Sequence, residues 1–349
     1  MRIVILGGSN SGPKNGWAAS LAEIAPEHRI ENRFLGAVGS LFGLLRLLKM
    51  QQERGEKPDV VVFEYALNDS LWLLGGNITM KLVEEALHDV ATLCSREGIR
   101  LLFLCLCLRP PEATGEAELS QIMNHLYRSV ATARGVADCL LQIDILGEIA
   151  QSQYIDSAHI GPDPSMKVAQ AVAARLREPI PVPRGGGRGL SFAYLNSEEG
   201  RIDGPGERMS IQTSVFEGPS VTLRRGGACV FETKGRLVAL LLRSTEESGS
   251  YTIRAGDSVL RKNAQSLARE NVPNLMALHY VTAELPEAPR ASIEMTGSEE
   301  ALTAAPYDLT LMDGPPLVPF GEQTLELAGA MVRRRRSWLD KAKARLFRD

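Results

Sequence analysis

The stretch GGSNSG at residues 7–12 follows a β-branched run directly and is the first place in the chain where chemistry could be done. A glycine-rich turn at the end of a strand suits a dinucleotide, a phosphate or a reactive serine. A dinucleotide turn, G-x-G-x-x-G, needs its second glycine where Ser9 stands, because the pyrophosphate must approach bare backbone there. A phosphate loop, G-x-x-x-x-G-K-[ST], fits at Gly7 and Gly12 but puts Pro13 in place of its lysine and Asn15 in place of its hydroxyl residue. Both fail at the residue that does the chemistry. What remains is a serine at the carboxyl end of a first strand, the edge where open α/β sheets carry their sites.

Serine alone is a weak nucleophile and needs a base, a carboxylate to orient that base, and donors for the developing oxyanion. Such partners belong at the ends of later strands. The corresponding places hold Gly36 in NRFLGAVGS, Asn68 in FEYALND, and Asp156 with His159 in YIDSAHIGPD. Asp156 and His159 lie three apart in a short polar segment, so one turn can bring the carboxylate to Nδ1 and leave Nε2 for the serine. Singly, each residue has a plainer reading: Ser9 or Asp156 as a helix cap, Asn68 as a strand-ending turn, His159 as a surface histidine. Their order and strand-end placement together favour chemistry. His28, His88, His125 and His279 lack comparable company and read as structural or solvated.

In these residues the sequence resembles the SGNH (GDSL-type) hydrolases, whose name spells the serine, glycine, asparagine and histidine found here in that order. The resemblance covers roughly residues 1–178. It implies a flavodoxin-like three-layer α/β domain with a parallel sheet, in which Ser9 is the nucleophile, His159 the general base and Asp156 the residue that orients the imidazole. The N–H groups of Ser9 and Gly36 and the side-chain amide of Asn68 would form the oxyanion hole. An amide so placed contributes roughly 3–4 kcal/mol to the transition state. The chemistry calls for no metal and no cofactor.

Two departures from the family pattern stand out. Gly7-Gly8-Ser9 replaces G-D-S, so the part played by the aspartate must be met otherwise, with Asn10 as one candidate. The oxyanion glycine is Gly36 by preference, while Gly39 is a further candidate and an equal-length alignment of GLLRL favours Ala37. The resemblance implies a serine esterase that removes a small acyl group, acetyl by expectation, from a carbohydrate or glycoconjugate. O-acyl transfer to a polysaccharide would use the same residues. A disabled hydrolase that binds or assembles glycans is the alternative raised by the missing aspartate.

The elements that must position these residues alternate through the first half. RIVIL (2–6), DVVVFEY (59–65), IRLLFLCLCL (99–108) and VADCLLQID (136–144) read as strands, and being apolar on both faces they suit a parallel sheet between helices. Residues 77–98 and 117–135 carry helical spacing and end in glycine, and 163–178 reads as the last helix of this domain. Three prolines and four glycines in 179–189 mark a linker. Residues 190–322 then show short alternating strands with turns between them, the pattern of an antiparallel, jelly-roll-like β-sandwich. Residues 323–349 read as a basic amphipathic C-terminal helix.

At 349 residues and a net charge of −3, the chain has length for two cores and lacks the basic excess that polyanion binding needs, which argues against nucleic acid. Arg333–Arg336 with Lys341, Lys343 and Arg345 is the basic exception: it could touch an anionic lipid or acidic polymer, or be a solvated face, with Trp338, Leu339 and Phe347 docking the helix. Only Met1 and Arg2 precede IVILGG and no run is long enough to span a bilayer, so a cytoplasmic location is expected. Cys94, Cys105, Cys107, Cys139 and Cys229 read as buried free thiols. No tryptophan lies between Trp72 and Trp338, so the β-region is expected to pack beside the site rather than to bind glycan on an aromatic platform.

Overall fold

The computed structural model describes residues 1–12, 16–53, 55–110, 116–136, 139–185, 189–267 and 275–335. The chain divides into two compact units, Met1–Gly187 and Arg188–Asp349.

The first unit runs β1 (Arg2–Gly7), α1 (Trp17–Ile24), β2 (Arg29–Asn32), α2 (Ser40–Glu53), β3 (Val60–Glu64), α3 (Ala66–Leu74), α4 (Met80–Glu97), β4 (Arg100–Cys105), α5 (Glu116–Arg134), β5 (Cys139–Leu141), α6 (Gln142–Leu146) and α7 (Pro162–Leu176). Its five strands are parallel in the order β2-β1-β3-β4-β5. The chain leaves β1 towards β2 and returns to β3 on the other side, so the carboxyl ends of β1 and β3 flank the point where strand order reverses. Because β1, β3 and β4 bury both faces, helices cover each. Trp17 and Leu21 of α1 and Val168 and Val172 of α7 pack with Ile3, Ile5, Val60 and Val62 on one face. On the other, α2 lies so close to β3 that Gly43 faces the rings of Phe63 and Tyr65. Gly98 and Gly135 close α4 and α5 in the left-handed conformation that glycine adopts at no steric cost.

Two strands are shorter than their apolar runs. The run at 99–108 is extended only to Cys105, and that at 136–144 gives way to α6 after Leu141. Gln142, the first residue of α6, is buried with its carboxamide satisfied: Oε1 accepts from the Cys107 N–H at 2.9 Å and Nε2 donates to the Tyr154 hydroxyl at 2.8 Å. All five cysteines are free, and Cys139 alone is partly exposed.

The second unit contains β6 (Phe192–Asn196), β7 (Arg201–Asp203), β8 (Gly206–Gln212), β9 (Glu217–Leu223), β10 (Gly227–Phe231), β11 (Gly235–Ser244), β12 (Ser250–Ala255), β13 (Ser258–Asn263), β14 (Leu275–Tyr280), β15 (Ala291–Met295), α8 (Glu299–Ala304) and β16 (Leu325–Arg334). These strands form two antiparallel sheets, β13-β12-β15-β10-β7 and β14-β11-β16-β9-β8, with β6 also paired to β16. Phe231, Tyr251 and Ile293 from one sheet share a core with Val221, Leu240 and Leu327 from the other.

The C-terminal helix expected over 323–349 is not what Leu325–Arg334 forms. LELAGAMV has the composition of a helix, but β16 pairs with β11 on one side and with β6 and β9 on the other, and that pairing outweighs a weak local propensity. Arg333 and Arg334 therefore end a strand. The rest of the expected basic face, from Arg336 through Trp338, Leu339, Lys341, Lys343, Arg345 and Phe347, lies outside the described residues, and with it the contact expected with an anionic surface. Among the described residues no helix is long and apolar enough to cross a membrane.

Candidate active site

At the carboxyl edge of the parallel sheet, Ser9–Ser11 form a single 3-10 turn directly after β1. Ser9 Oγ lies 2.7 Å from His159 Nε2, and His159 Nδ1 lies 2.7 Å from Asp156 Oδ2. The other carboxylate oxygen, Asp156 Oδ1, accepts the backbone N–H groups of Ala158 (2.8 Å) and His159 (2.7 Å). Partial burial would raise the Asp156 carboxyl, but these two N–H groups and the imidazole outweigh it and hold the carboxyl below its ordinary range. The segment that carries both residues is a small loop closed by an antiparallel bridge between Tyr154 and Ile160, with α7 starting two residues later. Hydroxyl, imidazole and carboxylate thus stand in one line although 150 residues separate the first from the second.

Behind the serine turn stands Glu64, the last residue of β3 and fully buried. Its Oε2 accepts from the Gly8 N–H at 3.2 Å and from the Ser11 hydroxyl at 2.9 Å. Burial pushes this carboxyl up to about 8, and the donors from Ser11 and Gly8 pull it only part of the way back. The serine turn is thus braced from β3. Asn10, considered for that part, does not bond within its own turn. Its Nδ2 donates to the Ala158 carbonyl at 2.9 Å and its Oδ1 accepts from the Ile160 N–H at 3.0 Å.

The candidate oxyanion groups converge from two further elements. The Leu35 N–H donates to the Gly7 carbonyl at 3.0 Å, which carries the chain after β2 alongside β1 and sets Gly36 against Ser9. A Cβ on Gly36 would lie 3.4 Å from Ser9 Cβ. Ala37 follows in the left-handed region at φ 54°, a conformation that costs an alanine about 1–2 kcal/mol and is held by the loop around it. Gly39 belongs to the entry of α2, its carbonyl accepting from the Phe42 N–H. Asn68, 4 % exposed, sits in the first turn of α3 rather than in a strand-ending turn, and its carboxamide lies over Gly8. Next to it, buried Asp69 accepts from the Ser40 N–H at 2.8 Å and from the Tyr127 hydroxyl at 2.7 Å, so the helix that carries Asn68 is tied to the start of α2. Burial raises the Asp69 carboxyl to about 7.

Glu64 and Asp69 are the residues of this site that spacing arguments pass over. A signal for the first exists in the sequence: a glutamate next to the apolar run VVVF, at 60–63, has no reason to be there unless buried donors await it.

A crystallised two-domain esterase (CEX) active on acetylated mannans matches 97% of this chain and 92% of its own length, at 15% identity and a TM-score of 0.59. The chain shares that esterase's two-domain fold. The same esterase co-crystallised with mannopentaose matches equally broadly, at 14% identity and a TM-score of 0.57. Over about half of this chain, further matches include an acetyl xylan esterase, AlAXEase (13% identity, 50% of this chain, 100% of that chain, TM-score 0.43), and a G-D-S-L family protein from Desulfitobacterium hafniense DCB-2 (15% identity, 50% and 98%, TM-score 0.39). No family model matches the sequence, and no curated protein matches it.

Proposed function

We propose that the first unit is a serine esterase of SGNH type that removes an acetyl group from an oxygen of a carbohydrate. The observation that carries this reading is the hydrogen-bonded line from Ser9 Oγ through His159 to Asp156 at the carboxyl edge of the sheet. Ser9 Oγ attacks the acyl carbonyl while His159 Nε2 takes its proton, and Asp156 stabilises the imidazolium that results. The N–H groups of Ser9 and Gly36 and Asn68 Nδ2 receive the charge on the carbonyl oxygen. Collapse breaks the bond to the sugar oxygen, which leaves with the proton held by His159. Water, deprotonated by the same imidazole, then attacks the acyl-serine, releasing acetate and restoring the hydroxyl.

The choice of a carbohydrate substrate is supported by the fold shared, across both units, with an esterase active on acetylated mannans. The test is acetate release from acetylated mannan and from 4-nitrophenyl acetate by the parent protein, Ser9→Ala and His159→Ala. Each substitution is expected to lower turnover by about a thousandfold or more with the fold intact. Near-parental turnover in either variant refutes the assignment.

A further inference from the structure

We infer that Asn10 is a positioning residue that fixes the His159 loop against the nucleophile, an inference that rests on the reading of Ser9 and His159 given above. Its carboxamide is 5 % exposed and makes two hydrogen bonds, one to Ala158 and one to Ile160, the backbone neighbours on either side of His159. One donor and one acceptor of a single side chain thus grip both flanks of the residue whose ring must meet Ser9. Ser9 and Asn10 are consecutive in one short turn, so the grip and the nucleophile move together.

The loop needs such an anchor. Tyr154 and Ile160 bury the base of the loop in the core that holds Ile3 and Ile5, but Ile155 is 67 % exposed and the side chains of Asp156 and His159 are half and about one-third exposed, so burial does little to locate the tip between them. Its internal bonds, from the Ile155 N–H to the His159 carbonyl and from the Ala158 and His159 N–H groups to Asp156, set its shape but not its distance from β1. The Arg109 N–H holds the Ser157 carbonyl on the β4 side. Asn10 supplies the tie on the β1 side, and a displacement of about 1 Å in a reacting pair costs on the order of a hundredfold in rate.

Asn10→Ala removes both bonds. Asn10→Asp keeps an acceptor for the Ile160 N–H, turns an oxygen towards the Ala158 carbonyl, and adds negative charge beside the His159 backbone. The readouts are kcat and KM on 4-nitrophenyl acetate across pH, the rate of inactivation by a fluorophosphonate, and the melting temperature. Expected for Asn10→Ala are a fall in kcat and inactivation rate of about tenfold or more with KM within twofold. For Asn10→Asp, the rising limb of the pH profile moves to higher pH, because added negative charge favours the imidazolium.

The inference is overturned if folded Asn10→Ala stays within twofold of the parent in both rates. It is equally overturned if Asn10→Ala loses activity only in proportion to lost folded protein while folded Asn10→Asp keeps the parental kcat and an unshifted limb. Ser9→Ala, assayed in parallel, separates the two levels: activity retained there condemns the underlying esterase reading, whereas activity lost there with Asn10 indifferent condemns only the role of Asn10.

Discussion

A Cβ on Gly8 would lie 2.9 Å from Asn68 Cγ and closer still to Asn68 Oδ1, so the carboxamide occupies the space that any other residue at position 8 would need. Glycine at position 8 and the seat of Asn68 are therefore one structural fact. Gly8→Ala and Gly8→Asp are each expected to push the carboxamide aside and lower kcat at least tenfold, with little change in melting temperature because the tip of a side chain can move. Steady-state kinetics and thermal unfolding check this. Unchanged kcat in both variants would mean that the seat of Asn68 is irrelevant to turnover.

Asn68→Ala tests the donor itself. A group that binds charge developing only in the transition state should lower kcat by about a hundredfold or more and leave KM nearly unchanged. A rise in KM at constant kcat would instead make Asn68 a substrate-binding residue.

Glu64 makes a prediction about stability with a definite sign. Its carboxyl rises from 4.5 to about 8 in the folded state, so between those values the folded protein holds a proton that the unfolded chain has released. Stability falls as pH rises through that window and levels off above about 8; for this fully buried group the cost at pH 7 is on the order of 3 kcal/mol. Asp69, raised from 3.8 to about 7, adds a fall of the same sign at lower pH. Melting temperatures measured between pH 5 and 8 should decline in the parent and decline less in Glu64→Gln, which cannot titrate. Equal slopes in the two proteins would contradict a buried, protonated Glu64.

The parts of the molecule that can be read from the sequence are those where local pattern and tertiary setting agree. RIVIL and VVVF are apolar on both faces and become β1 and β3, the central pair around the site. RIEN carries no such pattern because β2 is an edge strand with partly exposed side chains, paired on one side only. LELAGAMV misleads for the opposite reason: it has helical residues, but it is sandwiched between strands whose identity lies up to 140 residues away. The site divides in the same way. The spacing of Asp156 and His159 is a local signal for a carboxylate facing a ring nitrogen, whereas the bonds of Asn10 to Ala158 and Ile160 and of Glu64 to Gly8 and Ser11 join distant segments that no spacing rule connects.

The central claim is that Ser9 Oγ is the nucleophile, and covalent labelling reads it most directly. The active protein is treated with a fluorophosphonate, its intact mass is measured, and the modified peptide is sequenced by tandem mass spectrometry, with Ser9→Ala and His159→Ala alongside. The account predicts one adduct per chain on Ser9 that forms as activity is lost, no adduct at that site in Ser9→Ala, and much slower labelling in His159→Ala. Inactivation with the adduct on another residue, or full activity with Ser9 modified, would contradict it.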